Sequence, residues 1–425
     1  MLSRLLTNKF VRNVILVATG TAGAQAITLA FSPVITRLYG PEAFGLLGTF
    51  TAVLAVVTPI AALTYPIAIV LPKNDDNARG LAKLSLILAL CISLAIALVF
   101  FIAEKPIARL LNIEALVGYL MLVPLAMFLD SSRQIMQQWL IRKKQFKVTA
   151  RIAISQSLVL NSAKMGAGFI HPAGTALIVL TTLGHALYAV QLWLGARRWS
   201  SVEDYIHRPT KAIPCLKSLA HQHRDFPIYR APQVFINAIS QSLPVLLLAS
   251  FFGPAVAGFY TLSRSVMAAP ADLLGNSVGN VFFAQIAEAV NEGKDPRPYL
   301  QKATLGALAI ATPPFVVIMI WGAPIFSFIF GEQWYTAGQY AQWIAVWLLF
   351  SLAARPVIAT IPVIGMQGWF LVAEIIFTSL RAALMIAAMF ISTDPLITII
   401  IFCIASSCFY ITLIYLILSG PKIKL

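Results

Sequence analysis

Acidic residues are scarce in this 425-residue chain: 16 Asp and Glu stand against 31 Lys and Arg, and charges of both signs make up only 11%. A chain that is 59% hydrophobic, with a mean hydropathy of +0.83, cannot cover itself in polar surface. That excludes a water-soluble globule and makes a bilayer its solvent. Four cysteines, Cys91, Cys215, Cys403 and Cys408, show no CxxC spacing and lie mostly in apolar runs, which argues against a disulfide framework or a zinc site. Histidine is equally rare. Of five, only His185 falls within an apolar span, and a lone intramembrane histidine reads as a packed hydrogen-bonding residue rather than a metal ligand. GxxxxGK[ST], HExxH and GxSxG are absent, as is GxGxxG after a strand. No nucleotide-driven step, hydrolytic centre, metal or other cofactor is therefore expected, and the chain is not expected to be an enzyme.

What is present is a run of apolar stretches punctuated by turns. The organising one is Phe31 to Gly45, FSPVITRLYGPEAFG, where an apolar run reaches Pro33, carries Arg37, breaks at Gly40-Pro41 and resumes at Phe44. The turn recurs: Gly253-Pro254-Ala255-Val256-Ala257-Gly258-Phe259 matches Gly40-Pro41-Glu42-Ala43-Phe44-Gly45-Leu46 at an offset of 213 positions (253 − 40), half the chain. A duplication follows. Twelve spans are predicted: 14–36, 44–71, 84–103, 115–140, 152–170, 174–194, 231–250, 256–287, 303–330, 340–364, 369–391 and 396–419. The expected fold is an all-α polytopic membrane protein of about 12 transmembrane helices in two six-helix lobes. Residues 1–195 form the first, 196–228 a basic cytoplasmic linker and 229–425 the second, the lobes related by a pseudo-twofold along the membrane normal. The N-terminus, with Arg4, Lys9 and Arg12 before its apolar stretch, is expected to be retained, because the run from Val14 through Pro33 is longer than the core of a signal peptide.

Lysine and arginine alternate between the two sides of this map very unevenly. On one side fall 23 of the 31, in clusters such as Arg142-Lys143-Lys144; the other holds only Lys105 and Arg109. The positive-inside rule puts both termini in the cytoplasm. The same bias accounts for the net charge of +15, so no nucleic-acid partner is implied. Outer connections such as Leu38 to Ala43 and Ser392 to Pro395 are too short to carry the carboxylates and substrate grip of an external glycan-processing site.

Six cations remain inside the spans or at their ends: Arg37, Arg133, Lys164, Arg264, Arg355 and Arg381. Each costs roughly 2.5 to 3.5 kcal/mol at mid-helix on insertion scales, so such residues face a bundle interior or a watery cavity. Arg37 and Arg355 read equally well as snorkelling to headgroups. Asp130, Arg133, Gln134 and Gln137 share one helix face, as do Glu374, Thr378 and Arg381; Gln156 and Asn161 precede Lys164, and Asp272 follows Arg264. Arg133, Lys164, Arg264 and Arg381, with Arg37 and Arg355 as further candidates, are the expected anion-binding residues of a positive lumen. Asp130, Asp272 and Glu374 are the expected carriers of a coupling ion. Internal ion pairs, Asp130 with Arg133 and Glu374 with Arg381, are the structural alternative. Prolines at 59, 66, 270, 313, 314, 356 and 362 are expected to kink or unwind their helices.

Thr36-Arg37-Leu38-Tyr39-Gly40-Pro41-Glu42-Ala43-Phe44-Gly45, Ala68-Ile69-Val70-Leu71-Pro72-Lys73, Phe226-Pro227, Phe252-Gly253-Pro254 and Phe330-Gly331-Glu332 together resemble the bacterial polysaccharide-repeat flippases. These are the O-antigen and exopolysaccharide flippases of the multidrug/oligosaccharidyl-lipid/polysaccharide exporter superfamily. The resemblance implies a flippase moving an undecaprenyl-diphosphate-linked oligosaccharide from the cytoplasmic to the periplasmic leaflet of the inner membrane by alternating access, coupled to a gradient of H+ or Na+. It implies bilayer lipids, a polysaccharide polymerase and glycosyltransferases as partners, in lipopolysaccharide or exopolysaccharide synthesis. Relatives carry an acidic residue near the position held here by Pro66, so no coupling role transfers there. A multidrug or small-molecule antiporter is the alternative; a membrane glycan polymerase or ligase, and a purely structural assembly partner, are further ones.

Overall fold

The computed structural model describes residues 9–199, 215–271, 295, 297–361 and 366–419, and those residues are helical almost throughout. They form two compact units, Met1–Ser242 and Leu243–Leu425.

In the first unit the helices are α1 (Lys9–Leu38), α2 (Pro41–Ala61), α3 (Tyr65–Ala68), α4 (Asp75–Leu110), α5 (Leu122–Arg142), α6 (Phe146–Ile170), α7 (Gly174–Trp199), the short α8 (Leu216–Gln222) and α9 (Ala231–Phe252), whose last residues lie in the second unit. Its core gathers Phe50, Leu54, Phe100, Leu116, Met127 and Ile178. Helix α1 lies along α6, where a Cβ at Gly20 would run into Ala150, so the backbones approach at a contact only glycine permits. Above that point the seam is polar. Ser157 Oγ donates to the Ala24 carbonyl at 2.8 Å, Asn161 Nδ2 to Thr28 Oγ1 at 3.2 Å and Tyr39 Oη to the Lys164 carbonyl at 2.9 Å. With no water in the hydrocarbon, such groups must find partners within the protein.

The span predicted as one piece over 44–71 is broken. Helix α2 stops at Ala61, Leu63 and Thr64 take left-handed dihedrals (φ 46° and 58°), and α3 then makes a single turn. Pro66 is the physical reason: in a continuous helix its ring would meet the carbonyl of Ala62, and it has no N–H to donate. The broken segment is tied down from α8 and the turn after it. Tyr65 Oη donates to the Ala220 carbonyl at 3.1 Å, Thr64 Oγ1 to that of Phe226 at 3.2 Å, and Leu219 of α8 is buried against Tyr65, Ala68 and Leu81. Arg142 closes the same end, donating from Nε and Nη2 to Asp75 Oδ1 at 2.9 and 2.8 Å and from Nη1 to the Pro72 carbonyl.

The second unit contains a helical stretch over 254–271 (α10), then α11 (Arg297–Phe330), α12 (Tyr335–Thr360), α13 (Gln367–Ile391) and α14 (Pro395–Ser419). Helices α11 and α12 cross where a Cβ on Gly338 would meet the Ala323 backbone and the Gly322 carbonyl. Two kinks fall away from the prolines singled out in the sequence. Helix α4 departs from helical dihedrals at Ala103, three residues before Pro106, and α11 at Trp321, three before Pro324, while Pro313 and Pro314 are carried inside α11. Each kinked helix then ends in a positive-φ residue, Asn112 or Gly331, and a single 3-10 turn, Glu114–Leu116 or Glu332–Trp334. Kinks, prolines and turns repeat at one spacing, 218 positions (321 − 103), a backbone signature of duplication.

Each predicted span falls largely on helix, but 44–71 is divided between α2 and α3, the span from 115 enters α5 only at Leu122, and the eighth is helical over its described part; 362–365 and 272–287 lie outside the described residues. Eight helices among the described residues are long and apolar enough to cross a membrane. Helices α5 and α6 are not among those eight, since the charges and amides that make them interesting also lower their hydropathy.

Candidate functional site

The polar face of α5 forms as its spacing predicts and meets two residues from α7, His185 and Tyr188. Arg133 Nε donates to Asp130 Oδ1 at 2.7 Å and its Nη1 to Gln137 Oε1 at 2.8 Å. Gln134 Nε2 donates to Asp130 Oδ2 at 2.9 Å, and His185 Nδ1 approaches Oδ1 at 3.1 Å. The Arg133 guanidinium lies 5.6 Å from the centre of the Tyr188 ring, one turn beyond His185 on α7. The i, i+3, i+4 arrangement on α5 puts Arg133 and Gln134 on one carboxylate, and α7 adds His185.

The cluster borders a cavity of about 490 Å³ inside the first unit. Asp130, Ser131, Gln134 and His185 form its polar wall, α2 and α3 contribute Thr51, Thr58, Pro59 and Pro66, and α9 closes it with Val234, Asn237 and Ala238. Pro59 and Pro66 belong to this site because the break between α2 and α3 opens the space they line. Among the described residues no lysine or arginine lines the wall itself; Arg133 bears on it through Asp130.

The other candidates fall elsewhere. Lys164 is half-buried on α6, and its ammonium makes no ion pair among the described residues. Arg37 is exposed in the last turn of α1. In the second unit Arg264 lies 5.1 Å over the Trp347 ring and Arg381 5.5 Å over that of Phe409. Arg381 is only 6% exposed, donating to the Phe377 carbonyl and Thr378 Oγ1 of its own helix. Glu374 is buried one face along, within electrostatic reach of Arg381, as is Tyr260, which Arg264 also approaches. Arg355 is half-buried on α12. Asp272 lies outside the described residues. Among these, no three His, Cys, Asp or Glu side chains come together as a metal site would need, and the four cysteines are free.

Sequence reasoning set His185 aside as a packing residue and did not single out Tyr188, Trp347 or Phe409. One signal pointed to His185: it is the single histidine within a span. Nothing in the linear order signalled the ring partners, which lie 55, 83 and 28 positions from their arginines.

A family model described as polysaccharide biosynthesis protein matches residues 34–339. The succinoglycan biosynthesis transport protein ExoT of Rhizobium meliloti is 21% identical over 324 residues, 75% of this chain; the match spans 62% of that relative's length. Among solved structures, the lipid II flippase MurJ in an inward closed conformation aligns with a TM-score of 0.73 at 13% identity, over 94% of this chain and 87% of that one. An inward-facing multidrug resistance MATE family transporter of the MOP superfamily aligns with a TM-score of 0.60 at 15% identity, over 91% and 92%. At these identities the likeness is one of fold.

Proposed function

Since this multi-pass membrane chain belongs to the polysaccharide biosynthesis protein family, we propose that it is a flippase for a lipid-linked oligosaccharide. Its passenger is an undecaprenyl-diphosphate-linked repeat unit carried from the cytoplasmic to the periplasmic leaflet of a bacterial inner membrane, with both termini cytoplasmic and an ion gradient as the driving force. The sugar and diphosphate pass through the protein interior while the isoprenoid tail stays in lipid.

The observation that carries this reading is the placement of Arg133, Arg264 and Arg381, each of which rests on an aromatic ring within its own unit. A permanent cation inside a span costs several kcal/mol, and a snorkelling side chain would avoid that by reaching for headgroups. Keeping it inside favours a negatively charged passenger, to which Arg and Lys offer charge-assisted hydrogen bonds. Lys164 supplies the same chemistry from α6, with Arg37 and Arg355 nearer the ends of their helices.

The test is complementation of a strain lacking the gene. Arg133→Gln, Lys164→Gln, Arg264→Gln and Arg381→Gln are expected to reduce surface polysaccharide at unchanged protein level, with lipid-linked intermediate accumulating. Normal export in all four variants would refute the reading. A drug antiporter is the second reading, favoured by the largely apolar cavity walls around one carboxylate. Protection of a pump-deficient host against cationic drugs would support it.

A further inference from the structure

Resting on the transporter reading above, we propose that His185 is the proton-carrying group of the first unit, and that Asp130 is the fixed anion that aims it. The geometry divides the two roles. Asp130 accepts from Arg133 Nε and His185 Nδ1 on one oxygen and from Gln134 Nε2 on the other. Three of its four lone-pair sites are taken, and the permanent charge of Arg133 sits 2.7 Å from one oxygen, so a proton or metal ion on that carboxylate meets a charge already neutralised rather than an open anion. Sodium is poorly served for the same reason: a hard cation needs several oxygen ligands, and this carboxylate is ringed by N–H donors, one of them a permanent cation.

His185 is the open member. With its Nδ1–H turned to Asp130, a neutral imidazole holds its lone pair on Nε2. The side chain lines the cavity and is 24% exposed, and Nε2 has no protein partner among the described residues. Uptake forms one N–H bond at Nε2 and release breaks it, with nothing oxidised or reduced. The step takes the Arg133–Asp130–His185 cluster from net neutral to a charge of +1 beside the cavity. The groups facing His185 are few. Helix α5 presents Asp130 and Arg133, α2 the neutral Thr51 and Thr58, α6 Gln156, whose amide donates to the Gly184 carbonyl at 2.7 Å, and α9 Asn237; Tyr188 is on α7 itself. Among the described residues Asp130 is thus the one acidic group there, and it touches His185 directly. A change of charge at this wall is felt by α9 across the cavity, since no other charged side chain among the described residues lines the space between.

The experiment uses the full chain with its four cysteines replaced by serine and Ala238→Cys placed on the α9 wall, reconstituted in phosphatidylethanolamine and phosphatidylglycerol vesicles. Maleimide labelling is followed between pH 5 and 8 in sodium or in choline buffer. With His185 present the rate is expected to change severalfold across this range beyond the intrinsic pH dependence of the thiol, as a group that holds its proton more tightly in one conformation than in the other produces. Sodium and choline should give the same curve. H185Q should stay at the alkaline plateau and H185R, whose charge is permanent, at the acid plateau. A curve in H185Q that follows that of the His185 chain, or one that answers to sodium and not to pH, overturns the proposal. Should H185Q lose its folded elution profile, H185R carries the test alone, and any remaining pH dependence in it overturns the assignment. Labelling needs no substrate. A chain that switches with pH but fails to restore export therefore refutes only the flippase reading, and one that exports without the switch refutes only the proton assignment.

Discussion

The Asp130–Arg133 pair allows a decisive measurement, because its two readings, structural lock and functional charge, separate in a double-mutant cycle of D130N and R133Q. The 2.7 Å contact joins side chains that are 11% and 22% exposed, so it is neither fully desolvated nor screened as a surface pair would be. Two unit charges 4 Å apart attract by about 4 kcal/mol at an effective dielectric of 20, and a charge-assisted hydrogen bond nets about 1.5 to 3 kcal/mol once water is counted. In R133Q, Asp130 keeps Gln134 and His185; in D130N, Arg133 keeps Gln137 and the Tyr188 ring. Each single variant should therefore lose about 2 kcal/mol, less than the 3 to 5 kcal/mol of a fully buried pair. The double variant should lose less than the sum by about 1.5 kcal/mol. The assay is denaturant unfolding of the purified chain in detergent micelles, followed by tryptophan fluorescence. A coupling below about 0.5 kcal/mol would show that the contact does not hold in the membrane protein and would refute the geometry on which the site rests. Export by R133Q alone, which keeps Asp130 against His185, then separates the roles: if Arg133 is only a lock, export follows the amount of folded protein, whereas a substrate-binding Arg133 leaves the variant export-deficient at full folded level.

Two further predictions concern packing and the linker end. Gly338→Ala drives a Cβ into the Ala323 backbone and should cost about 1 to 3 kcal/mol as a lowered unfolding midpoint, whereas Gly40→Ala, with open space around it and φ of −72°, should stay within about 0.5 kcal/mol. Equal effects at the two positions would refute the close α11–α12 crossing. Arg142→Gln removes the bonds to Asp75 and the Pro72 carbonyl and should cost about 2 kcal/mol, a loss reduced to about 1 kcal/mol in an Asp75→Ala background, where only the carbonyl bonds remain to be broken. Full loss in that background would show that the guanidinium acts elsewhere.

The chain's sequence determined a good deal by itself. Hydrophobic run length must match bilayer thickness, so the helices and their order could be read before any coordinates, and the period of an α-helix placed Asp130, Arg133, Gln134 and Gln137 on one face. The internal repeat was legible in the Gly-Pro turns because a turn between spans tolerates few residues. The break at 62–64 was signalled by Pro66, but the kinks at Ala103 and Trp321 were not, and Pro313 and Pro314 stay inside their helix, because each proline can either be absorbed by a helix or break it, and the choice depends on what packs around the freed carbonyl. Tertiary structure alone decided which residue faces Asp130 from another helix, which ring lies beneath each arginine and where a cavity opens. Those are contacts between residues tens of positions apart, set by the rotation of one helix against the next, and a one-dimensional pattern of polarity carries no information about that rotation.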